Sequence, residues 1–211
     1  MPRVSEQYRA HRRAEIVAAS ARLFASNGFH ATSMADIIGE SGLSAGAVYR
    51  YFASKEDLIV AVAETALGAA DEVFGDLLAD GATPSPQQAL TTVVTAIADR
   101  VLDNPEMGVD VSRIMVQVWA EALRSDRLAA RVDEVYQRLR DYFAEIARRG
   151  QQAGNLPAGA HPEQVGATML SLVQGYVLQR LLVSGTDTDG YLAGLTALLP
   201  AEPAGRRQAP A

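Results

Sequence analysis

The chain has no cysteine and only three histidines, His11, His30 and His161, widely separated along its 211 residues. Without thiols neither a disulfide frame nor a thiolate metal site can form, and imidazoles so scattered offer no metal-ligand spacing. No glycine-rich phosphate loop and no nucleophile–histidine arrangement is present either, so no catalytic residue, cofactor or metal is expected. A single lysine, Lys55, stands among 19 basic residues, the others being arginine. With abundant alanine, this reads as a bias of GC-rich coding DNA. No run of about 18 apolar residues occurs, and the start MPRVSEQYRAHRRAE is polar and arginine-rich. A soluble protein of a reducing cytoplasm, with no membrane partner, is the expectation. The alternating β-branched runs that build strands are missing as well.

The net charge of −6 argues against nucleic acid as a partner when taken over the whole surface. The distribution of charge points the other way. Residues 1–58 hold seven cations against six carboxylates, whereas residues 59–211 hold 12 against 19. An acidic body repels DNA from everywhere except the amino-terminal part, which favours one orientation of approach.

Apolar residues recur at spacings of three and four almost throughout, so the fold class is all-α. The first helix is expected at about Ser5 to Asn27, ending in Asn27-Gly28, a common stop signal. A short helix follows at about Ser33 to Glu40, capped by Thr32 or Ser33, then the turn Ser41-Gly42 and a second short helix at about Ser44 to Tyr51. Ser54-Lys55-Glu56-Asp57 forms a capping box that opens a long helix to about Leu78. Further helices are expected at about Pro86 to Leu102, Glu106 to Arg124, Asp126 to Gln152, Pro162 to Val183 and Asp187 to Leu199. The stretch AEPAGRRQAPA lacks periodicity, and residues 201–211 are expected to be a disordered tail.

Three helices with a glycine turn between the second and third describe a helix-turn-helix, whose last helix enters the DNA major groove. Val48 and Phe52 stand four apart and, with Leu43, can pack on Leu23, Phe24, Met34 and Ile38. Ala45 with Tyr49, and Gly46 with Arg50, then share the opposite side. Small residues let a helix approach base edges and phosphates closely, and Ser44 with the free N–H groups attracts a phosphate. Gly46 costs roughly 1 kcal/mol against alanine in a helix. Close approach to DNA explains it, and so does relief of crowding against a neighbouring helix.

The segment GFHATSMADIIGESGLSAGAVYRYFASKEDL resembles the DNA-binding domain of the TetR family of one-component bacterial regulators, with Gly28-Phe29, Thr32, Gly42-Leu43-Ser44, Tyr49, Phe52, Lys55 and Leu58 in register. The resemblance covers residues 12–58. It implies that Thr32 caps its helix and touches a phosphate, and that Tyr49 and Lys55 bind flanking phosphates of a double-stranded operator. It further implies that Ala45, Gly46, Ala47, Arg50 and Tyr51 meet bases or backbone. With alanines and glycine in three of those positions, hydrogen-bond readout is sparse, leaving thymine methyls, Arg50 and DNA shape to supply specificity.

Trp119-Ala120-Glu121, RGQQAG and LVQGYVLQRLL resemble the regulatory domain of the BetI-like and AcrR-like branches. Residues 1–53 are accordingly expected to bind DNA and residues 54–200 to form a larger helical regulatory domain. That resemblance implies a homodimeric repressor released by a small-molecule effector of apolar or aromatic character. Met115, Trp119, Tyr136, Phe143, Met169 and Gln174 are candidates for its pocket, being aromatics and methionines with a few polar groups. Val173, Val177 and Leu181, on a broad apolar face, are candidates for the dimer interface. Sequence does not separate repressor from activator.

Overall fold

The computed structural model describes residues 6–99 and 111–199. Among these residues there are nine α-helices and no strand: α1 (Glu6–Asn27), α2 (Met34–Ser41), α3 (Ala45–Tyr51), α4 (Lys55–Leu77), α5 (Pro86–Ile97), α6 (Val111–Ala122), α7 (Asp126–Gln152), α8 (Pro162–Leu182) and α9 (Thr188–Leu198). The all-α expectation holds, and most helix limits fall within two residues of those read from spacing and caps. The expected end of α5 at Leu102, the expected start of α6 at Glu106 and the tail at 201–211 lie outside the described residues.

The short helices exist because their ends are satisfied locally. Ser33 caps α2 by accepting from the Asp36 N–H at 3.2 Å, while the Asp36 carboxylate accepts from the Ser33 N–H at 2.8 Å. This reciprocal pair meets two donors that the first helical turn leaves orphaned. Gly42 ends α2 in the left-handed region at φ +67°, where a side chain is strained, and that reversal aims α3. The same box opens α4: Ser54 N–H donates to Asp57 at 3.0 Å and Asp57 N–H to Ser54 Oγ at 3.2 Å.

The chain packs into two compact units, one spanning Met1–Asp71 and Ile97–Tyr136, the other Glu72–Ala96 and Gln137–Ala211. In the first, Phe24, Ile37, Val48 and Phe52 form the core of the three-helix motif with Leu43, Leu23, Met34 and Ile38 packed against it, as the spacing requires. That core does not stop at residue 53. Leu58, Ile59 and Val62 of α4, Ile114 and Val118 of α6, and Leu128 of α7 belong to the same cluster, so the packing unit reaches well beyond the motif. Full burial of such side chains contributes about 1.5–3 kcal/mol each.

In the second unit α5, the later part of α7, α8 and α9 bury Leu90, Val94, Phe143, Ile146, Met169, Tyr176 and Leu195. Gly166 lets α8 lie directly on α7: a Cβ there would sit 2.7 Å from Ala144 N and 2.8 Å from Arg140 O. Tyr176 and Thr188 share a hydrogen bond at 2.7 Å, and Tyr191 donates to Leu172 O at 2.6 Å, tying α9 to α8. Among the described residues no helix is long and apolar enough to cross a membrane.

Candidate nucleic-acid interface

The outer face of α3 is open. Ser44, Ala45, Gly46, Tyr49 and Arg50 are exposed, Ala47 and Tyr51 are half-buried, and Val48 beneath them is fully buried. A Cβ built at Gly46 meets no atom within 4 Å, and its φ lies outside the left-handed region. Relief of crowding therefore does not explain this glycine. Tyr49 stands 50% exposed, a ring and hydroxyl presented to solvent beside Arg50. Ser44 Oγ accepts the Ala47 N–H at 3.3 Å, so its hydroxyl serves the helix first. Tyr51 packs against the core cluster and only partly faces outward.

Two residues expected to touch phosphates also have partners within the chain. Thr32 is 1% exposed, and its hydroxyl donates to Gly28 O at 2.8 Å and Leu23 O at 3.3 Å. The cap of α2 belongs to Ser33, whose extended backbone aims its oxygen back at the Asp36 N–H. The Lys55 ammonium donates to Phe29 O at 2.6 Å and to Thr32 O at 3.0 Å. It therefore fastens the turn between α1 and α2 to the start of α4. Two arginines at the start of α1 are similarly engaged: Arg12 pairs with Glu15 at 2.7 Å, and Arg13 lies 3.7 Å from Glu64 and over the Phe52 ring.

Sequence reasoning missed the grip of α6 on that same turn. The Gln117 amide accepts the Phe29 N–H at 3.0 Å and donates to Phe24 O at 3.1 Å, across 88 and 93 residues of chain. One helical turn later Glu121 lies 3.1 Å from the His30 imidazole. Arg127 at the start of α7 pairs with Asp57 in the cap of α4. Burial pushes the Asp57 carboxyl up, but hydrogen bonds from Ser54 and Arg127 outweigh it and hold the group below the usual carboxylate range. Nothing in a single glutamine predicts so distant a partner; the capping patterns were legible.

The pocket candidates divide between the units. Met115, Trp119 and Tyr136 belong to the first, where the Trp119 indole N–H donates to the Tyr136 hydroxyl. Phe143, Met169 and Gln174 belong to the second, where Phe143 meets Phe74 edge to face at 4.9 Å and Phe74 stacks on Tyr142 at 4.7 Å. The dimer candidates Val173, Val177 and Leu181 all stand on α8. Val173 and Val177 are buried at 7% and 2% exposure, because their side of α8 turns into the chain's own core. Leu181 is half-buried, whereas Leu182, Val183 and Leu198 are the large apolar residues left in solvent near the ends of α8 and α9. Beside them an open groove of about 430 Å³ is lined by Leu172, Tyr191, Leu195 and Leu198.

Residues 16–62 match the family model for bacterial regulatory proteins of the tetR family, and residues 76–204 match that of the BetI-type transcriptional repressor, C-terminal. The HTH-type transcriptional repressor KstR2 of Mycolicibacterium smegmatis is 30% identical over 197 residues, covering 81% of this chain and 92% of the relative. The HTH-type transcriptional regulator UidR of Escherichia coli K12 is 25% identical over 191 residues, covering 89% and 90%. Among solved structures, Salmonella enterica GusR superposes with a TM-score of 0.71 at 24% identity, covering 94% of this chain and 99% of that one. A transcriptional regulator from Saccharomonospora viridis, in complex with choline, gives 0.71 at 21% identity, covering 90% and 95%. At these identities the structural likeness shows the fold.

Proposed function

Because the chain belongs to the TetR family of DNA-binding transcriptional regulators, with a carboxy-terminal part of the BetI type, we propose that it is a cytoplasmic repressor. As a homodimer it binds a two-fold operator and is released by a small apolar or aromatic effector. The observation that carries this is α3 itself: a helix sealed at its start by Ser44, aimed by the Gly42 reversal, and presenting small residues, Tyr49 and Arg50 outward. The matching BetI-type model and KstR2 are both named repressors, which supports repression over activation.

A helix-turn-helix dimer meets half-sites about 34–36 Å apart. The exposed Leu182, Val183 and Leu198 supply an apolar surface on which a second copy can close a two-fold pair. Release requires that the effector favour a state unfit for DNA; a tenfold preference is worth about 1.4 kcal/mol per site. Trp119 and Met115 share α6 with Gln117 and Glu121, the residues that hold the α1–α2 turn. A molecule that displaces α6 therefore loosens the seat of the DNA-reading motif. Fluorescence anisotropy with the DNA upstream of the chain's own gene, against scrambled DNA and across a salt series, tests operator binding. Aromatic and apolar compounds that raise the melting temperature are then added to the complex; unchanged affinity in their presence refutes effector-driven release.

A further inference from the structure

We propose that Arg50 reads one guanine in each half-site of the operator, and that Gly46 supplies the clearance that brings it there. The inference rests on the DNA-binding reading above and deepens it. Six cations lie in the described part of residues 6–58, and the fold occupies four of them: Arg12 on Glu15, Arg13 on Glu64, Arg22 on Glu40 at 2.9 Å, and Lys55 on two backbone carbonyls. Arg9 and Arg50 are exposed and have no such partner among the described residues. Of these two, only Arg50 stands on α3.

The rest of that face has little to read bases with. Ala45 and Gly46 carry no hydrogen-bonding side-chain atom, the Ser44 hydroxyl accepts the Ala47 N–H, and Tyr49 offers a single hydroxyl. Arg50 is thus the one long, multidentate donor on the exposed side of α3. Guanine alone among the bases offers two acceptors, N7 and O6, on its major-groove edge, and the planar guanidinium fork matches that pair. Adenine replaces one acceptor with a donor, and cytosine presents a donor. Gly46 lies one helical turn before Arg50 on the same side, and its open Cβ position serves nothing inside the protein. The missing side chain lets α3 sink toward the base edges, so the guanidinium reaches a base and not only the phosphates at the rim.

The test is selection from a randomised duplex library with the full-length wild type, Arg50→Ala and Arg50→Lys, followed by anisotropy on the selected sequence. Wild type is expected to select a two-fold motif with a fixed guanine in each half. Arg50→Ala is expected to lose preference at that position alone and to bind the selected sequence about 5- to 150-fold more weakly per half-site. Arg50→Lys, which keeps the charge but not the fork, is expected to relax the same position. An unchanged motif with affinity lost equally on all sequences makes Arg50 a phosphate contact and overturns the proposal. If wild type selects no motif, the operator-binding reading itself falls and the guanine contact with it. Since Arg50 is exposed, unchanged melting temperatures are expected to separate these outcomes from misfolding.

Discussion

Gly46→Ala should separate what the fold needs from what DNA needs. A Cβ at Gly46 has no atom within 4 Å, so the free protein gains a methyl without a clash. Alanine restricts the unfolded chain and suits the helix better; at the second residue of α3 the gain is about 0.5 kcal/mol, the low end of the range for this exchange. For a chain of this size that raises the melting temperature by about 1–2 °C. On DNA the same methyl enters the closest contact. Overpacking a close-fitting surface costs about 1–3 kcal/mol, hence roughly 5- to 150-fold in affinity for each half-site. The salt slope stays constant, because no charge is removed. Both quantities come from one preparation, by thermal denaturation and by anisotropy against the operator. A variant that is stabilised yet binds as tightly as wild type refutes close approach, and one that is destabilised refutes the open environment.

Lys55→Ala is expected to weaken operator binding without changing its salt slope, since the ammonium holds the carbonyls of Phe29 and Thr32; a phosphate contact would instead lower the slope by about one per site. Gln117→Ala leaves the Phe29 N–H without its acceptor in a residue only 4% exposed, at a cost of about 1–3 kcal/mol, read as faster hydrogen exchange at Phe29 and a lower urea midpoint. Gly166→Ala drives a methyl into the α7 backbone and should destabilise the chain by about 1–3 kcal/mol, with operator affinity unchanged well below the melting temperature. Stability should hold from neutral pH to the ordinary carboxylate range and fall below about pH 4. The Arg149 hydrogen bond holds Glu145 down, and hydrogen bonds from Ser54 and Arg127 prevail over burial at Asp57. A depressed folded pKa stabilises above the unfolded value and is lost as pH falls through the folded one. Asp57→Asn should flatten that acid limb in circular dichroism titrations.

Local chemistry explains why so much of the fold can be read from the chain. The apolar spacing of α1 through α9, the boxes at Ser33 and Ser54, and the glycine stops at Gly28 and Gly42 act within a few residues, so a reader of the chain meets cause and effect together. The choice between Thr32 and Ser33 as cap is open in sequence, because both are β-hydroxyl residues. Backbone direction decides it, turning Ser33 toward Asp36 and Thr32 inward to Gly28. The inward side of α8 is open in sequence for a related reason. A helix apolar on most of its girth does not declare which stripe its own core will take, and the core took Val173 and Val177.

The sequence by itself determined an all-α chain with a helix-turn-helix near its start, and it marked α3 as the candidate reading helix, because periodicity, caps and turns are properties of neighbouring residues. The tertiary structure alone decided which polar groups are free. It set Lys55 on the Phe29 and Thr32 carbonyls, Gln117 on the α1–α2 turn and Arg13 beside Glu64, and left Arg50 and the space above Gly46 open. Those pairings join residues up to 93 positions apart. Only the packing of helices brings such groups within hydrogen-bond range, so no local pattern in the chain encodes them.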